Sequence, residues 1–262
     1  MNVLSLFDGM SCGQIALKNL GFKVDNYFAS EIDKYAIKIA KKNFPNMVHV
    51  GDVTKVRYSD FRGCLVVEKD SGYIQDIPKS RQIDLIIGGS PCQGFSRAGK
   101  NLNFDDPRSK LFFEFVRLVK ELKPKYFLLE NVKMTKEHRD TISDVLGVEA
   151  IYIDSALVSA QTRKRYYWTN IPYVFDPVNM GIKLSDIIQT EGELEGSEVD
   201  ERMVTNKGKA YCLTARYDGA VWWNSIERSQ RSMIRIDNKV CFPEATKKGY
   251  AAAGIGEGLD LS

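Results

Sequence analysis

The sequence predicts an α/β fold built on a doubly wound, mostly parallel sheet, with a small irregular second domain. Three observations carry this expectation. Strand-like runs alternate with helical patterns over about the first 170 residues, the runs are continuously apolar as strands buried on both faces are, and this regularity ends near Pro172. Residues 2–7 read as a buried strand, and residues 13–20 as a helix opening just beyond a glycine-containing turn. Residues 27–30 form a second strand, followed by a helix over 34–43 with Tyr35, Ile37, Ile39 and Ala40 on its apolar side. Residues 84–89 are a third strand ending in paired glycines. Residues 110–122 place Leu111, Phe112, Phe115, Leu118, Val119 and Leu122 at helical spacing; Pro124 ends that helix and residues 126–129 begin another apolar strand. Ligands of such sheets bind beyond the carboxyl ends of the strands, and the candidate residues below fall there.

Composition narrows the class. The 262 residues carry 37 Lys and Arg against 34 Asp and Glu, a net charge of +3, with 44 % apolar and 27 % charged residues. These values are those of a globular chain of one large or two smaller domains, not a disordered or fibrous one. No apolar run approaches the roughly 20 residues of a membrane helix. Residues 2–7 lack a basic flank and are interrupted at once by Asp8-Gly9, so a cleaved secretory signal is not expected. Five cysteines (Cys12, Cys64, Cys92, Cys212, Cys241) show neither CxxC spacing nor a neighbouring His. That pattern argues against a disulfide framework or a metal site and for a reducing compartment. Residues 191–201 hold six carboxylates and no base, as a solvated linker does. Residues 202–248 hold ten Lys or Arg against four acids, interleaved with Tyr211, Tyr217, Trp222 and Trp223; short β-like pieces are expected at 211–215 and 221–223.

Phe7-Asp8-Gly9-Met10-Ser11-Cys12-Gly13 sits between the first strand and the first helix, where backbone N–H groups can face an anionic ligand. Glu31 follows the second strand 22 residues beyond Gly9, the spacing of an acid that accepts from ribose hydroxyls. Asp52, in Gly51-Asp52-Val53, is a candidate acceptor for an adenine amino group. The same residues also fit plain turn glycines, a helix N-terminal charge at Glu31 and a cap at Asp52. The turn is not GxGxxG, which shifts the choice from a dinucleotide to a smaller nucleoside cofactor such as S-adenosylmethionine.

In Gly88-Gly89-Ser90-Pro91-Cys92-Gln93-Gly94, a strand ends, two glycines turn the chain and Pro91 fixes the approach to Cys92. A thiol there, near cationic groups, is a candidate nucleophile, while Cys12, Cys64, Cys212 and Cys241 read as small buried apolar thiols. Glu130-Asn131-Val132 ends the strand begun at Tyr126 and brings a carboxyl group to the same rim, placed to exchange a proton with a bound substrate. The alternative is a helix start capped by Asn131. Residues 161–168 set Arg163, Lys164 and Arg165 beside Tyr166, Tyr167 and Trp168, which also fits an amphipathic strand with a solvated basic face.

Taken in order, these motifs (Phe7-Asp8-Gly9 to Gly13, Glu31, Gly51-Asp52-Val53, Pro91-Cys92-Gln93, Glu130-Asn131-Val132 and Gln161-x-Arg163-x-Arg165) resemble the DNA (cytosine-5)-methyltransferase family over about residues 2–172. The sequence looks like the phage enzymes and, more distantly, the animal de novo enzymes. The resemblance implies a Rossmann-like S-adenosyl-L-methionine domain over 1–172 and a target-recognition domain over 173–262. It implies cofactor contacts from Phe7, Asp8, Gly9, Gly13, Glu31, Ile32, Asp52 and Val53. It further implies that Cys92 adds to carbon 6 of a flipped-out cytosine and that Glu130 donates a hydrogen bond or proton to N3. Arg163 and Arg165 would steady the base and Gln161 would help position them. Residues 94–106 look like the loop that closes over the base, with Arg97, Lys100 and Arg108 as phosphate contacts. The partner implied is double-stranded DNA in the cytoplasm of a bacterial or phage-infected cell, for restriction protection or marking of phage DNA, with neither metal nor membrane. The family's return motif and C-terminal helix have no counterpart before Ser262. The expectation is therefore a chain naturally short or truncated, or a second polypeptide supplying that piece. The alternatives are a catalytically impaired regulatory homologue, one half of a split enzyme, or an RNA cytosine-5 methyltransferase.

Overall fold

The computed structural model describes residues 1–91, 107–187, 203–204, 208–210, 233–236 and 239–241. Met1–Tyr152 with Arg165–Val174 form one compact unit; Ile153–Lys164 and the described residues from Phe175 onward belong to a second. The strands are β1 (Asn2–Leu6), β2 (Asn26–Ser30), β3 (Val48–Gly51), β4 (Val56–Ser59), β5 (Cys64–Glu68), β6 (Ile74–Ile77), β7 (Leu85–Gly88), β8 (Tyr126–Val132), β9 (Ile151–Asp154) and β10 (Lys164–Thr169). The helices are α1 (Cys12–Asn19), α2 (Lys34–Asn43), α3 (Pro107–Leu122) and α4 (Lys136–Leu146). A seven-stranded sheet runs β3-β2-β1-β7-β8-β10-β9. The pairs β1–β2, β2–β3, β1–β7 and β7–β8 are parallel, and β10 runs antiparallel to β8. This is the mostly parallel, doubly wound sheet that the strand–helix alternation predicts.

Alternation along β1 divides the core between the two faces of the sheet. Leu4 and Leu6 join Phe28, Ile86, Phe112, Phe115, Leu118, Leu129 and Trp168 on one side, whereas Val3 packs with Tyr27, Ala29, Leu85 and Leu17 on the other. That two-sided burial is why these strands read as continuous apolar runs. Asp33 starts α2 by accepting from the main-chain N–H groups of Tyr35 and Ala36, and Lys41 and Lys42 complement the dipole at its end. Thr135 starts α4, and Gly147, left-handed at φ 70°, closes it. Trp168 is 0 % exposed and its Nε1 donates to Ser143 Oγ at 3.0 Å, tying β10 to α4.

Three features depart from the sequence reading. β8 continues through Glu130 and Asn131 to Val132, because β10 supplies the main-chain partners for those polar residues. Asn131 is therefore not a cap; Thr135 has that role. Residues 56–77 form an antiparallel meander, β4-β5-β6, which the sequence reading did not anticipate. It is fastened to α3, where Arg117 donates from Nη2 to Val56 O at 2.7 Å and pairs with Glu114 through Nη2 and with Glu121 through Nη1. Cys12, expected to be buried, is exposed at the first residue of α1, whereas Cys64 is buried as expected.

In the second unit, β11 (Met203–Val204), β12 (Met233–Ile236) and β13 (Lys239–Cys241) pair antiparallel. Gln161 bridges to Ala210, and Lys209 Nζ donates to the carbonyls of Ser159 and Ile182. The β-like pieces expected at 211–215 and 221–223 lie outside the described residues.

Candidate active site

The turn after β1 is unusual backbone. Phe7, Gly9 and Ser11 all have positive φ, at 57°, 59° and 64°. Such a conformation costs an L-residue roughly 1–2 kcal/mol and persists only where the surroundings over-determine it. Here they do. Asp8 N donates to Ser30 O at 3.0 Å, Ser11 N to Asp8 O at 3.1 Å, and Gly9 N to Glu31 Oε2 at 2.8 Å. The other Glu31 oxygen accepts from Ile32 N at 2.7 Å and Asp33 N at 2.9 Å. Glu31 thus braces the β1–α1 turn against the β2–α2 turn, with lone pairs left for hydroxyl donors. Gly13 is needed for close packing, since a Cβ there would meet Ile87 Cδ1 at 2.4 Å and Tyr27 Oη at 2.9 Å.

Beside this turn, Ile32 is 75 % exposed, an apolar surface next to the carboxylate. Asp52 caps the short turn that follows β3, accepting from Thr54 N at 2.9 Å and Thr54 Oγ1 at 2.8 Å. Val53 is only 4 % exposed, so its side chain serves the core and only its main chain is left to meet a nucleobase. Phe7 packs half-buried against the same core. The donor set of the turn, with a carboxylate for a ribose diol and an exposed apolar side chain for a planar base, fits S-adenosylmethionine.

The reacting rim is built by β7, β8 and β10. Gly88 passes so close to β1 and α3 that a Cβ would lie 3.1 Å from both Leu6 O and Phe115 Cδ2, and one on Gly89 would lie 3.0 Å from Glu130 Oε2. Asn131, 2 % exposed, directs Nδ2 at Ser90 O and Ser90 Oγ, both at 3.4 Å. In the β8–β10 register Tyr167 opposes Glu130 and Arg165 opposes Val132, which puts Arg165 diagonal to Glu130 on one face. Their ion pair is Nε–Oε1 at 2.6 Å. The approach to Cys92 is thereby seated on a carboxylate oriented by a guanidinium. Cys92 itself, with residues 94–106 and so Arg97 and Lys100, lies outside the described residues; Arg108 falls in the first turn of α3.

The model of the family described as C-5 cytosine-specific DNA methylase matches residues 1–148, a span containing the turn, Glu31, Cys92 and Glu130. The chain belongs to that family.

Among its relatives, the type II methyltransferase M1.ScrFI of Lactococcus lactis subsp. cremoris is 50 % identical over 163 residues, covering 56 % of this chain and 37 % of the relative. The orphan methyltransferase M.SPRI of Bacillus phage SPR is 39 % identical over 140 residues, 53 % of this chain and 28 % of the relative. The chain spans about a third of the length of these curated relatives. The solved S. pombe Dnmt2 methyltransferase shares the fold, with a TM-score of 0.59 at 16 % identity, covering 96 % of this chain and 79 % of that one.

In this C-5 cytosine methylase chain the structure brings together Gly9 with Glu31 and Glu130 with Arg165, two of the pairs the motifs suggest. Arg163 belongs to the second unit and is exposed, its main-chain N–H donating to Asp154 Oδ1 at 3.0 Å. The Gln161 carbonyl accepts from Ser155 Oγ at 2.9 Å, so its main chain shapes the loop before β10. Sequence reasoning missed Gly89 and Ser90 as supports of the rim; the double glycine was the available signal. It also missed Tyr27 and His49, which carry no local signal because their partners are far along the chain, and Ser11, whose partner Asp8 lies three residues before it in the same turn. His49 Nε2 lies 3.0 Å from Glu31 O, and a carbonyl only accepts, so that nitrogen carries the proton.

Proposed function

We propose that this chain, or the protein of which it is part, methylates carbon 5 of cytosine in double-stranded DNA in the cytoplasm of a bacterial or phage-infected cell. The observation that carries the reading is the rim formed by the residues that precede Cys92 in the chain, where Gly89 and Ser90 abut Glu130 and Asn131 and Arg165 holds the Glu130 carboxylate. S-adenosylmethionine, bound on the Phe7–Gly13 turn, supplies an electrophilic methyl group. Carbon 5 of cytosine is too weak a nucleophile to accept it unaided. Addition of the Cys92 thiolate at carbon 6 moves the ring electrons to carbon 5. Arg165 pairs with Oε1 of Glu130 and so orients the carboxyl group, which would meet the edge of the base that carries N3. Once carbon 5 carries the methyl group, loss of its proton to a base would let the thiolate leave and restore the aromatic ring. The base must leave the stack to be reached, at a cost of about a few kcal/mol. The ten Lys and Arg residues of 202–248, against four acids, suit phosphate contacts and target recognition.

The test is transfer of labelled methyl from the cofactor to duplex DNA, with transfer RNA as the competing substrate. Label on duplex cytosine that Cys92→Ser abolishes is the expected result. Label on transfer RNA alone, or an active Cys92→Ser protein, overturns the reading.

A further inference from the structure

Tyr27 lies on β2, outside every motif described above, and is 3 % exposed. Its hydroxyl donates to Asp8 Oδ1 at 2.8 Å. The other Asp8 oxygen takes the hydroxyl of Ser11, the left-handed residue that precedes α1. Asp8 itself lies between the two other left-handed residues, Phe7 and Gly9. The same Tyr27 oxygen sits 2.9 Å from where a Gly13 Cβ would stand, beneath the first turn of α1. One buried phenol therefore touches the middle and the far end of the turn. Burial, and then the adjacent Asp8 carboxylate, push the hydroxyl far above its usual range, so it stays a donor at any physiological pH.

Resting on the methyl-donor reading of this turn, we infer that Tyr27 is a positioning residue for the cofactor: through Asp8 it holds the Phe7–Ser11 backbone in the shape that receives the methyl donor. Removing the hydroxyl leaves a half-buried carboxylate oxygen with one donor fewer. The left-handed residues then lose one of the contacts that over-determine them. Tyr27→Phe keeps the ring in its core position and removes only that donor.

The experiment measures equilibrium binding of S-adenosylmethionine to the full chain, unmodified and as Tyr27→Phe, beside the melting temperature of each without cofactor. Tyr27→Phe is expected to weaken cofactor binding about tenfold, the effect of one charge-assisted hydrogen bond, while duplex DNA affinity stays unchanged. In an Asp8→Ala background the same substitution should add nothing further, because the shared partner is gone. A merely structural Tyr27 would lower the melting temperature and leave cofactor affinity as it was; that result overturns the inference alone. An unmodified chain that binds no S-adenosylmethionine overturns the methyl-donor reading and this inference with it. Should Tyr27→Phe fail to fold, Asp8→Asn carries the same comparison. It keeps the side-chain volume and removes the charge that Tyr27 serves, and unchanged affinity there overturns the inference.

Discussion

Gly89 and Glu130 are packed so closely that a Cβ on the glycine would stand 3.0 Å from the carboxylate Oε2. The carboxylate is fixed from its other side by Arg165, so it has little room to withdraw. Gly89→Ala is therefore expected to push the segment entering Cys92 away from Glu130. Displacement on the scale of 1 Å can cost about a hundredfold in rate. Labelled methyl transfer should fall by that order with melting temperature nearly unchanged, and undiminished transfer would show that the rim tolerates the shift.

Glu31→Gln should weaken both cofactor binding and folding. Its two oxygens accept three main-chain N–H groups, from Gly9, Ile32 and Asp33. An amide nitrogen in place of either oxygen would face a donor, at a cost of about 1–3 kcal/mol. Thermal melting together with equilibrium binding of S-adenosylmethionine checks this; a variant equal to the unmodified chain in both would remove Glu31 from the brace.

Gly13→Ala introduces a methyl group 2.4 Å from Ile87 Cδ1. Since that atom is the far end of a side chain, Ile87→Val should restore part of what Gly13→Ala loses. Chemical denaturation of the two single variants and the double variant forms the cycle. Strict additivity would mean that the two sites do not meet.

Trp168→Ala should destabilise the larger unit by about 3–5 kcal/mol, as truncation of a fully buried aromatic does. Trp168→Phe keeps most of the volume and loses the bond to Ser143, a smaller cost of about 1–3 kcal/mol. Denaturant midpoints rank the two; a reversed order would deny that packing dominates.

His49 gives the fold a pH dependence of known sign. Burial holds its pKa below the ordinary value of 6.5, so the folded chain binds that proton less readily than the unfolded chain. Its contribution is complete above about pH 6.5 and is lost as the pH falls through that value toward the lower folded one. Melting temperatures between about pH 8 and pH 5 should fall on the acid side, and His49→Gln should flatten this part of the profile.

Much of this architecture was legible in the sequence. α2 matches its expected bounds because Asp33 and the apolar spacing mark both ends, and β1, β2 and β7 are readable because burial on both faces leaves no polar interruption. The end of β8 was obscured by Glu130 and Asn131, whose strand conformation depends on hydrogen bonds from β10, more than thirty residues later. The meander escaped because its strands are four or five residues long and mix Arg57, Gln75 and Asp76 among apolar positions. Motif order located Glu31 and Glu130. It could not reveal that Gly9 binds one or that Gly89 lies against the other, since both contacts arise only when distant turns meet.

The chain leaves its larger compact unit after Tyr152 and returns to it for Arg165–Val174. A hybrid gene joined at Tyr152 would discard the strand that carries Arg165 and Trp168, whereas a junction just beyond Val174 would retain the whole seven-stranded sheet. Swapping the whole smaller unit between homologues thus requires joins on both sides of Ile153–Lys164 and another after Val174, whereas a single late join exchanges only the part beyond Val174, which constrains how such chains diversify by recombination.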